Sequence, residues 1–185
     1  MLDGLCLVLR PGINCLMGPS GIGKTTLANI LAGLVVPENG ELTVRTCTTE
    51  TSIENLRISC VFQEDRLFGF LSALSNVLFV CQDRTKSKSR AIQLLGQAGL
   101  ADSLHKKAKE LSGGMKRRVC ICRALIADYD LLVLDEPFKG LDDALKPHIM
   151  QMLKDAFFDT EKIALCITHD AGEADFLGDQ RLEIH

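Results

Sequence analysis

Gly18-Pro19-Ser20-Gly21-Ile22-Gly23-Lys24-Thr25 follows the pattern G-x-x-x-x-G-K-[ST], and the chemistry such a segment performs is anion capture. Glycines at these spacings let successive backbone N–H groups turn inward around phosphate oxygens, where a Cβ would obstruct the turn. A helix beginning at Lys24 points the positive end of its dipole at the same anion. The lysine supports this reading, because a cation in a helix's first turn is misplaced unless something negative binds beside it. Lys24 is expected to reach the β- and γ-phosphates of a nucleotide. The Thr25 hydroxyl is expected to ligate Mg²⁺, with Thr26 following in the same first turn.

By itself this loop leaves kinases, GTPases and motors equally open. Two further segments narrow the class. Leu131-Leu132-Val133-Leu134-Asp135-Glu136 is an apolar run ending in two carboxylates, with Pro137 fixing a sharp exit. Strand ends of this kind are where ligands sit in open α/β sheets. Asp135 is placed to hold Mg²⁺ through a water, and Glu136 to orient or deprotonate an attacking water. In Leu111-Ser112-Gly113-Gly114-Met115, Ser112 can cap a helix whose apolar stripe runs through Met115, Val119, Cys122 and Ile126. Gly113 and Gly114 leave its first-turn N–H groups uncovered, which makes a second anion-receptive helix start. One nucleotide cannot easily use both starts. The simplest arrangement has this turn closing over a nucleotide held by a partner subunit.

These segments require a scaffold of alternating elements. Leu5–Leu9 and Ile13–Met17 read as strands around the Arg10-Pro11-Gly12 turn, followed by a helix from about Lys24 to Leu34 and a turn at Pro37-Glu38-Asn39-Gly40. Leu42–Arg45 and Ile58–Phe62 are further strands. The stretch from about Asp65 to Leu111 is mostly helical, with polar loops such as Gln82–Ser89. A helix from about Gly114 to Ile126, strand Leu131–Leu134, helix Leu141–Phe157, strand Ile163–Ile167, a helix near Ala171–Leu177 and a strand near Arg181–Ile184 complete the order. Continuous apolar strands imply a mostly parallel sheet buried on both faces. The expected fold is α/β, one domain over residues 1–185, with a helical subdomain at about residues 65–111 inserted into its core.

Composition agrees. The 185 residues are 46% hydrophobic and 24% charged, an ordinary globular balance. A net charge of -3 and the absence of Trp argue against a nucleic-acid-binding surface built on charge and base stacking. No apolar run, including Leu27–Val36 and Leu67–Val80, is long enough to span a bilayer, and the start MLDGLCLVLRPG lacks a signal peptide's basic lead, so the reading is a cytosolic chain. Cys6, Cys15, Cys60, Cys120, Cys122 and Cys166 lie among Val, Leu and Ile and read as reduced core residues rather than metal ligands.

Taken in order, the motifs resemble those of ABC-transporter ATP-binding subunits. Leu111–Met115 looks like that family's signature sequence, Gln63 like its Q-loop glutamine, Asp142 in Gly140-Leu141-Asp142 like its D-loop aspartate, and His169 in Thr168-His169-Asp170 like its switch histidine. The resemblance covers about Leu5 to Ile184. It implies a P-loop NTPase fold and ATP hydrolysis with Mg²⁺, in which Gln63 touches the metal and the attacking water. It further implies that His169 bonds the γ-phosphate, and that Ser112, Gly113, Gly114 and Asp142 act across a dimer. It also implies a second ATPase subunit, identical or not, transmembrane permease subunits, a solute-binding protein, and a place on the inner face of the cell membrane. Phe62–Leu67 and Met115 are similar to the nitrate, sulfonate and taurine importer branch. His105, His148 and His185 have no assigned chemistry.

The sequence departs from the family in three places. No aromatic residue occurs among residues 1–24, where the family usually offers one to adenine; the family's first strand reads as short; and Lys139 replaces a residue that is usually small and neutral. An alternative reading is an ABC ATPase without a membrane partner, using Lys106, Lys107, Lys109, Lys116, Arg117 and Arg118 as a nucleic-acid patch. The expectation for that segment is instead a solvated face with no nucleic-acid partner.

Overall fold

The computed structural model describes residues 5–37, 39, 43–45, 50–52 and 55–184. In chain order it forms β1 (Gly12–Met17), α1 (Lys24–Leu31), the short β2 (Thr43–Arg45) and β3 (Glu50–Ser52), β4 (Ile58–Val61), α2 (Ala73–Leu78) and α3 (Arg84–Gln97). Then come α4 (Gly113–Ile126), β5 (Leu131–Asp135), α5 (Lys146–Phe157), β6 (Ile163–Ile167), α6 (Ala171–Leu177) and β7 (Gln180–Glu183). Five strands make one sheet in the order β4-β5-β6-β1-β7, and every ladder in it is parallel. The strands β2 and β3 pair separately as an antiparallel ribbon.

The apolar strands alternate between two cores, as the two-residue side-chain period demands. Leu132, Leu134, Ala164 and Cys166 face the layer built on α4 and α5, whereas Leu131, Val133, Leu165 and Ile167 face the layer holding Leu27 of α1. Between β4 and β5 the chain leaves the sheet and builds α2, α3 and α4, which pack on one another. Among the described residues, no helix is long and apolar enough to cross a membrane.

Several expected elements differ. Leu5–Leu9 forms no strand: β1 is already paired on both sides, by β6 and β7, so this segment cannot form a hairpin with it. Leu7 and Leu9 instead pack partly against the core. The helix expected from Leu141 begins only at Lys146, with Pro147 in its first turn, where proline starts helices. The polar run Gln82–Ser89 is not a loop but the cap and first turns of α3, whose N-cap Asp83 accepts the N–H groups of Thr85 and Lys86. Helix α1 stops at Leu31, short of the expected Leu34, and Gly33 follows in the left-handed region at φ +69°. Cys6 is exposed and Cys60 only half-buried, whereas Cys15, Cys120, Cys122 and Cys166 are core residues. Glu38, Gly40, Leu42 and His185 lie outside the described residues.

Candidate functional site

Strand β1 delivers the chain into the Gly18–Gly23 loop, and α1 leaves it at Lys24. A side chain at Gly18 would place its Cβ 2.7 Å from the Ile184 carbonyl oxygen, and Gly21 sits at φ +82°, so the loop needs glycine for space at one position and for backbone geometry at the other. The N-cap of α1 is Gly23, with no side-chain cap, so the helix's first N–H groups remain available to an anion. The Lys24 ammonium folds back onto the loop, donating to the carbonyls of Gly18 at 2.6 Å and Pro19 at 2.8 Å. Ser20 and Ile22 complete the turn, and Thr26 continues the first turn of α1. A hollow beside this loop is bounded by Gly18, Pro19, His169 and Ile184, and no Phe, Tyr or Trp lines it.

Thr25 lies beside Asp135 at the end of β5. Asp135 is 2% exposed, and that burial pushes its carboxyl above the usual range against the opposing pull of Thr25, Arg117 and Lys24. The next residue, Glu136, adopts φ +47°, a left-handed conformation unusual for a residue with a side chain. This turns its carboxylate toward three other parts of the chain. Gln63 Nε2 lies 3.5 Å from Oε2, His169 Nδ1 3.3 Å from Oε1, and Lys139 Nζ 3.2 Å from Oε2. Burial alone would raise the Glu136 carboxyl; hydrogen bonds and charge from Lys139 and His169 outweigh it and hold the group below the usual glutamate range.

His169 sits on a braced loop. The Thr168 hydroxyl donates to the Glu173 carboxylate, Asp170 caps α6, and Lys146 pairs with Glu173 at 2.6 Å and Asp170 at 3.1 Å. The structure therefore gathers Lys24, Thr25, Gln63, Asp135, Glu136 and His169 at the carboxyl ends of β1, β4, β5 and β6.

Ser112, Gly113, Gly114 and Asp142 form a separate group. The Ser112 hydroxyl accepts the Met115 N–H at 3.3 Å, as expected of the cap, and Asp142 accepts the Ala144 N–H at 2.9 Å. A Cβ on Gly114 would lie 3.2 Å from the Gly140 carbonyl oxygen, so these two turns touch. No hydrogen bond among the described residues joins them to the phosphate loop.

Arg117 and Arg118 correct the expectation of a solvated basic face. They are only 3% and 8% exposed. The Arg117 guanidinium donates to the carbonyls of Phe62, Asp135, Glu136 (2.6 Å) and Pro137, and reaches Asp65 at 3.4 Å. Arg118 donates to the carbonyls of Ala98, Gly99 and Gly114. Arg117 thus fastens the exits of β4 and β5, which carry Gln63 and Glu136. The sequence held a partial clue: Arg118 lies three residues after Met115 and four before Cys122, on the apolar stripe itself.

The oxygen donors suit a hard divalent ion. Thr25 and Asp135 already touch, and Gln63 is tied to the neighbouring Glu136. Among the described residues no group of three His, Cys, Asp or Glu side chains is arranged for a metal. Mg²⁺ needs no such cage, since it commonly takes one or two protein oxygens and completes its shell with water and phosphate.

Comparison with known proteins agrees with this geometry. The sequence profile described as ABC transporter matches residues 3–139. The taurine import ATP-binding protein of Yersinia pestis is 40% identical over 170 residues, 90% of this chain and 66% of that protein. An aliphatic sulfonates import ATP-binding protein of Burkholderia cenocepacia is 37% identical over 175 residues, 95% of this chain and 64% of that one. This chain therefore spans slightly less than two thirds of the length of these curated relatives. The dimeric structure of MJ0796, a bacterial ABC transporter cassette, superposes with a TM-score of 0.79 at 30% identity, covering 95% of this chain and 85% of that one. With the phosphate loop, the acidic strand end and the capped Ser112 turn all set on a parallel sheet, this chain belongs to the ABC transporter family.

Proposed function

We propose that this chain is the ATP-binding and ATP-hydrolysing subunit of an ABC importer, working as one half of a nucleotide sandwich. The observation that carries the reading is the convergence of Gln63, Glu136 and His169 beside the Lys24–Thr25 loop. In this reading the loop Gly18, Pro19, Ser20, Gly21, Ile22 and Gly23 wraps the phosphates with its N–H groups. Lys24 moves from the loop carbonyls to the β- and γ-phosphates, and Thr26 lies beside it. Thr25, Asp135 (through a water) and Gln63 would hold Mg²⁺, which when bound neutralises charge on the β- and γ-phosphate oxygens.

Glu136 orients a water and accepts its proton as the water oxygen attacks the γ-phosphorus. The bond from that phosphorus to the bridging oxygen breaks, leaving ADP and phosphate. His169 hydrogen-bonds the γ-phosphate and stabilises its developing charge. The grouping of Ser112–Gly114 with Asp142, apart from this chain's own phosphate loop, suits closure over the nucleotide of a second copy or a close relative. Opening and closing would drive transmembrane permease subunits fed by a solute-binding protein, placing the chain on the inner face of the cell membrane. Residues 65–111 would form the helical subdomain that meets the permease. Phe68, Phe70 and Phe79 make an exposed aromatic cluster there, with Phe70 72% exposed. The taurine and sulfonate relatives favour the importer branch. The alternative without a membrane partner loses two of its six patch cations to burial.

Replacing Glu136 by Gln tests the reading. The variant should bind ATP, stop turning over and accumulate as a dimer on size-exclusion chromatography; hydrolysis at the parent rate would refute the base assignment.

A further inference from the structure

Lys139 occupies a position the family pattern fills with a small neutral residue, and nothing in the functional reading uses it. Its ammonium makes the shortest contact to the Glu136 carboxylate, 3.2 Å from Oε2, against 3.3 Å for His169 and 3.5 Å for Gln63. Its backbone N–H also donates to the Glu136 carbonyl at 3.2 Å, closing a turn that fixes the lysine stem beside its partner. Glu136 needs such support. Its φ of +47° is a conformation that persists when surrounding structure holds it. His169 holds the other oxygen, Oε1, but at Oε2 the only other contact among the described residues is the uncharged Gln63, while Asp135 repels the carboxylate and Arg117 grips only the backbone carbonyl. An arriving triphosphate adds repulsion that pushes a free carboxylate away from the reacting phosphorus.

We infer that Lys139 is a positioning residue for hydrolysis, its ammonium anchoring the Glu136 carboxylate against the triphosphate so that the attacking water finds its acceptor in place. The inference rests on Glu136 being that acceptor. Lys139 acts through Glu136 and touches no reacting atom.

Lys139→Met keeps the stem and removes the charge. Because the Lys139 side chain is 57% exposed and exposed pairs are weak, it should lower kcat about two- to fivefold. KM for ATP and the thermal midpoint should stay at parent values, and Lys139→Arg should restore most of the rate. In the Glu136→Gln background, Lys139→Met should have no further effect on residual turnover. A Lys139→Met kcat equal to or above the parent's, or no rescue by arginine, overturns the inference while leaving the base assignment intact. A Glu136→Gln variant that turns over normally removes the base assignment and this inference together.

Discussion

The helix starts of α1 and α4 look alike in sequence, both glycine-rich and both followed by basic residues, yet the structure finishes them differently. Helix α1 begins after a left-handed Gly23 with no side-chain cap, and Lys24 bends back onto loop carbonyls. Helix α4 begins under the Ser112 hydroxyl, and its Arg117 and Arg118 sink into the protein to hold carbonyls of other segments. The first start is left open for a ligand, and its cation is held by contacts that a ligand can replace. The second is locked on its inner side, leaving the turn itself exposed. A basic residue after a glycine turn can therefore serve as ligand or as strut, and burial decides which.

The most severe test of this contrast is Lys24→Ala, which should abolish thermal stabilisation by nucleotide. At a hundredfold excess over Kd the parent should gain about 2.7 kcal/mol from ligand, and the variant nearly none. Undiminished stabilisation would mean that the open start is not used. Arg117→Met should act without ligand, lowering unfolding stability in urea by about 3 kcal/mol as buried carbonyls lose their donor. It should also reduce turnover, because Gln63 and Glu136 lose their common anchor. A stable, fully active variant would contradict the role of strut.

Ser112→Ala should cost about 1 kcal/mol of stability through the lost cap. It should leave nucleotide-dependent stabilisation of the monomer unchanged while weakening dimer trapping in the Glu136→Gln background. The mildest test probes the buried side of α4. Burial pushes the Cys120 thiol up to about 11 and the Cys122 thiol up to about 12, so both should resist alkylation at pH 7. Exposed Cys6 should react under the same conditions, and mass mapping before and after urea would show it.

Much of the scaffold is legible in the sequence wherever burial on both faces leaves an uninterrupted apolar run. Ile163–Ile167 has the bounds its residues suggest, and Leu131–Asp135 extends the expected strand by one. Segments whose state depends on a neighbour are less legible. Leu5–Leu9 has strand composition, but the strand next to it in sequence, β1, has both edges taken, and Asp83 makes a helix start of a run that polarity alone marks as loop. The residues of the phosphate loop could be named because their pattern is local. Arg117 could not, because its role arises only where α4 crosses the ends of two strands that are remote in sequence. Lys139 is legible as a departure from the family pattern, but its pairing with Glu136 depends on the left-handed turn at Glu136, which the sequence does not mark.

One guanidinium has a mechanical consequence. Because Arg117 clasps the carbonyl of Phe62 together with those of Asp135 and Glu136, the stretch bearing the glutamine cannot be pulled without dragging the acidic pair along. A force applied at the far side of the helices would reach Asp135 and Glu136 through this rivet as a displacement, with no relay of rearranging side chains required.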